Sequence, residues 1–481
     1  MVYIYPYGGF GRQVGKILEL FDIEFIPIDD NISGQELETI KPKITKDDLV
    51  LISVSSNYES FEKRLGGGLD CNLKNGILHC AELIYSLKDL NLDDLIKDNK
   101  VIDLISSAVD LFYAKFNIHY KDEWQDKINK GFESLLGKKI NEYYKEKFKN
   151  ENFKIALYFG WAYQRKHFYK IPDFLNLSNK DLIHIYNTNK YFTHTTSYKE
   201  IAIYYKFLEY IDCIPNIVTA GLDVTNKKVT CFATEHVYSS ITRFGVINEN
   251  GDPFGLKLQA ECKKFNLNYV FSTCLQNYNI ESKLNDGFEV IKGGYPGIDY
   301  NISHFKQISS KYVVIALDSE EYLTYQTIEE LIKLLLDNEF KVIYRPHPEC
   351  INIKLPNIKH KNYILDENLS ILDTMSKSFT YITNFSSTAH TYPLTTLRKS
   401  ILYMPKEYFD RKILGQSFFD ENLHEKASNF DELLAAVKKL HVLKDDKQSQ
   451  EKIAKYRAKQ VFNLGHSSEF IADFILKHMK K

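Results

Sequence analysis

Short apolar runs alternate with longer stretches of helical period along most of the chain. VYIY (2–5), IEFIPID (23–29) and LVLISVS (49–55) are rich in β-branched and aromatic residues and read as strands. PYGGFGRQVGKILELF (6–21) joins the first two as a glycine turn feeding a helix, so the chain opens on the β-turn-α-β start of a parallel sheet. Helical signals fill 75–150. Within 127–149, Phe132, Leu136, Ile140, Tyr144 and Phe148 recur every four residues among Lys127, Lys130, Lys138, Lys139, Lys145, Lys147 and Lys149. Strands resume with FKIALYFGW (153–161), VTCFATEH (229–236), LNYVFSTC (267–274) and FEVIKGG (288–294).

A second alternating series starts near residue 300. YVVIALDS (312–319), FKVIYRPHP (340–348), FTYITN (379–384) and SILYMP (400–405) read as strands, and IEELIKLLLDN (328–338) and LSILDTMSK (369–377) as helices. Such alternation predicts an α/β protein of doubly wound parallel sheets with helices on both faces. The divisions it suggests are an N-terminal Rossmann-like domain over 1–115, a basic amphipathic connector over 116–150, a third unit over 151–298, and a fourth over 299–481 that ends in helices. The 127–149 stretch reads either as a solvated helix packing its aromatic stripe on a core, or as a membrane-surface contact.

Composition narrows the class. At 481 residues the chain is too long for one ordinary core. A hydrophobic content of 44% and a charged content of 26% fit a soluble globular protein. The net charge of −1 excludes bulk electrostatic binding of nucleic acid. The seven cysteines are odd in number and contain no C-x-x-C pair, which points to reduced thiols rather than disulfides or a zinc site. The first residues lack a basic and apolar leader pattern, and no apolar run approaches about 18 residues. A cytoplasmic protein is the expectation, peripheral on the inner membrane face if 127–149 makes the surface contact.

Ligands of an open parallel sheet bind at the carboxyl ends of its strands. Three segments of the last unit belong there: Arg345 to Pro348 (RPHP), Asn384 to Thr388 (NFSST), and Asp318 with Ser319. Taken singly, RPHP is an exit turn and NFSST an N-cap. On neighbouring strand ends they form a phosphate site, with Arg345 pairing to oxygens and Ser386, Ser387 and Thr388 cradling them at a helix start. His347 would neutralise the leaving phosphate. Glu235 and His236 follow the predicted strand at 229–234, and either is a candidate base for a hydroxyl proton. A buried His satisfied by a carbonyl is the plain alternative for His236. The chain has no D-x-D triplet, so metal chelation by paired carboxylates has no anchor and no metal or other cofactor is expected.

Near the N-terminus, Gly9-Phe-Gly11 is followed by Val14 where a dinucleotide fingerprint has its third glycine, with Asp29 and Asp30 at the end of the second strand. This leaves an NAD(P)-linked oxidoreductase as one alternative, and a degenerate Rossmann-like domain as the other. RLGGGLD (64–70) reads as a glycine loop or a turn.

YRPHP (344–348), followed by ITNFSSTAHTYPLTTLRKSILYMP (382–405), resembles the CDP-glycerol glycerophosphotransferase family, the teichoic-acid-type polymerases. KGGYPGID (292–299) resembles that family's entry to its second domain, and ATEHVYSSI (233–241) partly matches its histidine stretch. The HP and Ser-Ser motifs also resemble those of bacterial sialyl- and Kdo-transferases, which use CMP-sugars. The resemblance implies the GT-B architecture, two Rossmann-like domains with the nucleotide in the C-terminal one. It also implies a cytidine-nucleotide donor (CDP-polyol or CMP-sugar) held by Arg345, Asn384, Ser386, Ser387, Thr388 and Gly294. His236 with Glu235 would activate the acceptor, a surface glycan or lipid-linked chain. Asn384 and Thr391 stand where the family carries acids, and Pro393 predicts an interruption of the helix after the serines. An inactive GT-B scaffold is the further alternative.

Overall fold

The structure is a computed structural model. It describes residues 1–8, 11–12, 15, 24–45, 48–53, 58–66, 77–79, 138–160, 165–186, 198–203, 208, 210–220, 226, 228–234, 267–284, 287–317, 325–346, 355–366, 370–410, 412–413 and 416–480. The chain divides into two compact units. One comprises Met1–Trp161, Asn179–Pro215 and Asn226–Val229; the other comprises Ala162–Ser178, Asn216–Thr225 and Thr230–Lys481.

In the first unit, β1 (Val2–Tyr5), β2 (Phe25–Pro27), β3 (Leu49–Ile52) and β4 (Ile77–His79) form a parallel sheet of order β2-β1-β3-β4. Tyr3, Tyr5, Ile28, Val50 and Ile52 make its core with Leu37 and Leu65. The predicted Rossmann-like opening is therefore present. Gly11 is explained by packing: a Cβ there would lie 2.7 Å from the Pro6 carbonyl oxygen and 3.0 Å from Ser53 Oγ. Asp30 accepts from the Leu37 N–H at 3.0 Å and pairs with Arg64 at 2.9 Å. The acid at the end of β2 is thus engaged within the fold, not presented to a ribose.

The same unit holds β5 (Ile155–Phe159), β6 (Leu182–Tyr186) and β7 (Lys199–Ala202), parallel in the order β5-β6-β7. The helix Lys138–Lys147 precedes them. Tyr144 is buried in the first unit, and the Phe148 ring meets Phe153 edge-on at 5.5 Å. The described end of the aromatic stripe therefore packs inward; 116–137 lies outside the described residues.

The second unit carries β8 (Asn216–Ala220), β9 (Thr230–Thr234), β10 (Tyr269–Ser272) and β11 (Glu289–Lys292), parallel in the order β11-β10-β9-β8. Its six-stranded sheet is built from β12 (Tyr312–Ile315), β13 (Lys341–Tyr344), β14 (Tyr363–Leu365), β15 (Ser378–Thr383), β16 (Ser400–Tyr403) and, after the hairpin of β17 (Lys412–Ile413) and β18 (Gln416–Ser417), β19 (His424–Ala427). All its pairings are parallel, in the order β14-β13-β12-β15-β16-β19. This is the doubly wound order, with its switch point between β12 and β15. The helix Tyr325–Asp337 shows why such segments pack as they do. Ile328, Leu331, Ile332 and Leu335 recur on one face and join Val313, Val342 and Phe379 in the core. Each such burial contributes roughly 1.5–3 kcal/mol.

KGGYPGID fastens the end of the chain. Gly294 has φ of +90°, and a Cβ there would lie 2.4 Å from the Phe462 carbonyl oxygen. Asp299, buried in the helix Pro296–His304, accepts from the N–H groups of Gly465 (2.7 Å) and Ser467 (2.9 Å) at the start of the helix Ser467–His478. Burial pushes its carboxyl pKa up, against the lowering effect of these bonds. Asp299→Ala leaves the buried Ser467 N–H and the more exposed Gly465 N–H without their acceptor, and is expected to cost about 1–3 kcal/mol. Chemical denaturation of the variant and the wild type would show no difference if the clamp contributed nothing.

Candidate functional site

The first strand of the second series, β12, takes the centre of its sheet, with β13 on one side and β15 on the other. RPHP and NFSST therefore leave the sheet at the same end but on either side of β12. They are not on neighbouring strands, as the sequence reading had them, because the winding reverses at β12. Arg345 N donates to Ile315 O and Ala316 N to Ile382 O, each at 2.9 Å, which carries the ladder one residue past β13 and β12 and fixes the start of the RPHP exit.

Arg345 is held by groups that sequence reasoning missed. Its Nη1 donates to Asp366 Oδ2 at 2.7 Å and to Thr374 Oγ1 at 3.3 Å, and Thr374 Oγ1 donates to the same carboxylate oxygen at 2.5 Å. The Asp366 side chain is 0% exposed, so a buried carboxylate fixes a guanidinium that keeps 22% exposure. Asp366 itself is placed by its N–H bond to Tyr344 O at 2.8 Å, at the end of β14. The only hint in the sequence was an acid directly after the apolar run YIL.

A second cation comes from the helix Arg165–Phe168. His167 of that helix stacks on Tyr295 at 5.5 Å, and Tyr169 Oη bonds Ser303 Oγ at 3.1 Å, so it lies on the helix Pro296–His304. This brings Lys166 towards Arg345. Burial first, and the neighbouring guanidinium second, bring the Lys166 pKa down to about 8. No carboxylate among the described residues offsets this. Lys166 is thus a candidate partner of Arg345 in holding an anion.

After β15, Asn384 and Ser386 are buried while Ser387 and Thr388 are partly exposed. Ser386 Oγ accepts from Thr388 N at 3.3 Å, and Ser387 stands at the N-cap of the helix Thr388–Thr396 without a side-chain capping bond. The N–H groups of Ala389 and His390 bond the carbonyls of Ser386 and Ser387 at 3.0 and 3.1 Å, which leaves the Ser387 and Thr388 hydroxyls as the polar groups partly exposed there. Pro393 does not interrupt this helix. The carbonyl that residue 393 would have bonded, Ala389 O, accepts instead from Ser400 Oγ at 2.8 Å and from His424 Nε2 at 3.1 Å. Asp420 N donates to His424 Nδ1 at 3.0 Å, so this imidazole is the neutral Nε2–H tautomer. The neighbouring His390 ring lies 4.8 Å from His424.

Gly294 is placed against Phe462 and Ser467, so packing alone accounts for the glycine. β9 ends at Thr234; Glu235 and His236 follow it and, like His347, Asp318 and Ser319, lie outside the described residues.

Parallel sheets of this kind, the C-terminal one doubly wound, make a fold of GT-B type with an added N-terminal Rossmann-like sheet. The solved structures agree. The chain has the fold of the wall teichoic acid polymerase TagF, with a TM-score of 0.51 at 17% identity over 74% of this chain and 98% of that one. Two histidine variants of TagF give the same TM-score and coverage: an alanine variant at 18% identity, and an asparagine variant soaked with CDPG at 17%. No protein-family model matches the sequence, and no curated protein matches it.

Burial holds the His390 pKa down at about 4 and that of His424 well below its ordinary value. Unfolding restores an ordinary imidazole pKa near 6.5, so the unfolded chain takes up these protons first. Stability contributed by the neutral pair is thus intact above about pH 6.5 and is lost as the pH falls towards 4. Melting temperatures should drop through that window, and His390→Gln should flatten the drop. A flat profile for the wild type would contradict a buried neutral pair.

Proposed function

We propose that the chain is a transferase that moves a glycosyl or polyol-phosphate group from a cytidine-nucleotide donor to a surface glycan or a lipid-linked acceptor. The observation that carries this reading is that Arg345 and the 384–388 segment leave the carboxyl ends of β13 and β15, the strands that flank β12 at the switch point. There Arg345 and Lys166 supply cations and Ser387 and Thr388 hydroxyls, with no unpaired acid among the described residues. The likeness to a teichoic acid polymerase supports a polyol-phosphate group, as in a CDP-polyol. A CMP-sugar places its phosphate in the same crevice and is the second donor class.

The acceptor hydroxyl attacks the β-phosphorus of a CDP-polyol, or the anomeric carbon of a CMP-sugar. Its proton passes to His236 or Glu235. The bond to the nucleotide phosphate oxygen breaks, and cytidine monophosphate leaves with the electron pair. Arg345, Lys166 and the 386–388 donors take up the charge that gathers on the departing phosphate, with His347 beside them. Charge supplied this way makes turnover independent of divalent metal. Loss of activity in chelator, restored by Mg²⁺ or Mn²⁺, would refute that point.

A thermal-shift panel of CMP, CDP, UDP, GDP and NAD tests the donor class, because only a true ligand stabilises by mass action. CMP and CDP should stabilise the wild type. Stabilisation by NAD alone would replace the transferase by an oxidoreductase, and no response would leave a scaffold. Lys166→Met should weaken CMP binding about ten- to a hundredfold. A bound phosphate favours the ammonium form, so wild-type affinity should fall as the pH rises through about 8. Lys166→Arg should keep its affinity there.

A further inference from the structure

The amino ends of the same sheet, opposite the switch-point crevice, carry a second feature. A cavity of about 650 Å³ opens beside the residues that lead into β16 and β19, between them and the helices Phe430–Leu443 and Lys447–Gln460. That volume is in the range of ligand sites. Six cationic side chains line it (Arg398, Lys399, Lys426, Lys439, Lys444 and Lys452) against two carboxylates, Glu421 and Glu425. Phe379, Leu440 and Ile453 give it an apolar floor.

The cations are not equivalent. Arg398 is committed to the fold, donating to the carbonyl of Lys444 at 2.8 Å and to Ser310 Oγ at 3.0 Å. Lys399 and Lys439 share Glu425, at 3.2 and 2.8 Å. Lys426 stands over the rings of Phe409 and Phe419, at 5.2 and 4.3 Å, with no acid among the described residues. Lys444 Nζ meets the His441 ring nitrogen at 3.1 Å and makes no ion pair among the described residues, while Lys452 lies near enough to Asp446 to help hold its carboxyl low. Six cations against two carboxylates around one cavity are more than a single small anion needs. That excess, with the apolar floor, suits a chain that bears oxyanions at intervals on a carbon backbone.

We propose that this cavity binds a linear anionic glycan or polyol-phosphate chain, through Lys426, Lys444 and Lys452, at a site separate from the transfer crevice. A polymer held there would be retained while its end is worked on elsewhere. Binding at this site does not depend on the transferase reading, so the two are tested apart.

The test uses the full chain and fluorescently labelled poly(glycerol phosphate), with labelled polygalacturonate as the carboxylate arm and neutral dextran as the control. Anisotropy at low salt should show binding of one or both anionic polymers, weakening as salt is raised, and none of dextran. The variant Lys426→Glu/Lys444→Glu/Lys452→Glu should lose affinity about tenfold or more. The triple Lys→Gln variant should fall between it and the wild type, which guards against a folding defect in the charge-reversed protein. Arg345→Ala should leave polymer binding unchanged. The proposal is overturned if neither anionic polymer binds, if dextran binds as well, if both triple variants bind like the wild type, or if a single-stranded RNA oligomer binds more tightly than either polymer. A failed nucleotide panel with intact polymer binding would remove the transferase reading alone.

Discussion

The Ala389 carbonyl is the hinge of the C-terminal unit. Pro393 removes the N–H that this carbonyl would have accepted, and an unpaired buried carbonyl would be costly in a helix packed on all sides. Ser400 from β16 and His424 from β19 supply the missing donors. The helix that follows the serine motif is thereby bonded to two strands as well as to itself. Its placement is set by the sheet rather than by its own weak propensity. The arrangement needs one tautomer of His424, which the Asp420 N–H enforces from the other side.

Arg345 follows the same logic. A guanidinium on a loop would sample many rotamers, and each would have to be given up on binding. Asp366 and Thr374, on two further segments, hold it in advance. The pair is neutral as a unit, and the added positive charge near it is that of Lys166, carried by the helix Arg165–Phe168.

Much of the architecture was legible in the sequence because parallel sheets declare themselves by alternation. YVVI, KVIY, TYIT and SILY all proved to be strands of one sheet, and NFSST proved to open a helix. The motif positions were legible for the same reason, since strand ends are where the exits must fall. What escaped depends on partners distant in sequence. Asp366 is 21 residues from Arg345, and nothing local marks it as that residue's anchor. Lys166 reaches the crevice only through the packing of its short helix on Pro296–His304. Pro393 was misleading for a related reason, because a local rule about proline cannot see a histidine from another strand. At the glycine-rich opening, Gly11 satisfies a close backbone approach, with a Cβ there meeting the Pro6 carbonyl oxygen, a packing demand that the sequence shares with a dinucleotide turn.

The last helix has a consequence for how the chain is made. Asn216, at the start of β8, exchanges two hydrogen bonds with the backbone of Lys480, at 2.9 and 2.8 Å across 264 residues. Phe474 lies against Tyr269 and Phe271 of β10 in the same way. Between these partners runs the whole six-stranded sheet. During synthesis β8 to β11 must wait, with this face uncovered, until that sheet has emerged and the final helix can close over them. The strands made earlier are therefore completed last, and the interval is when this protein is most exposed to misassociation.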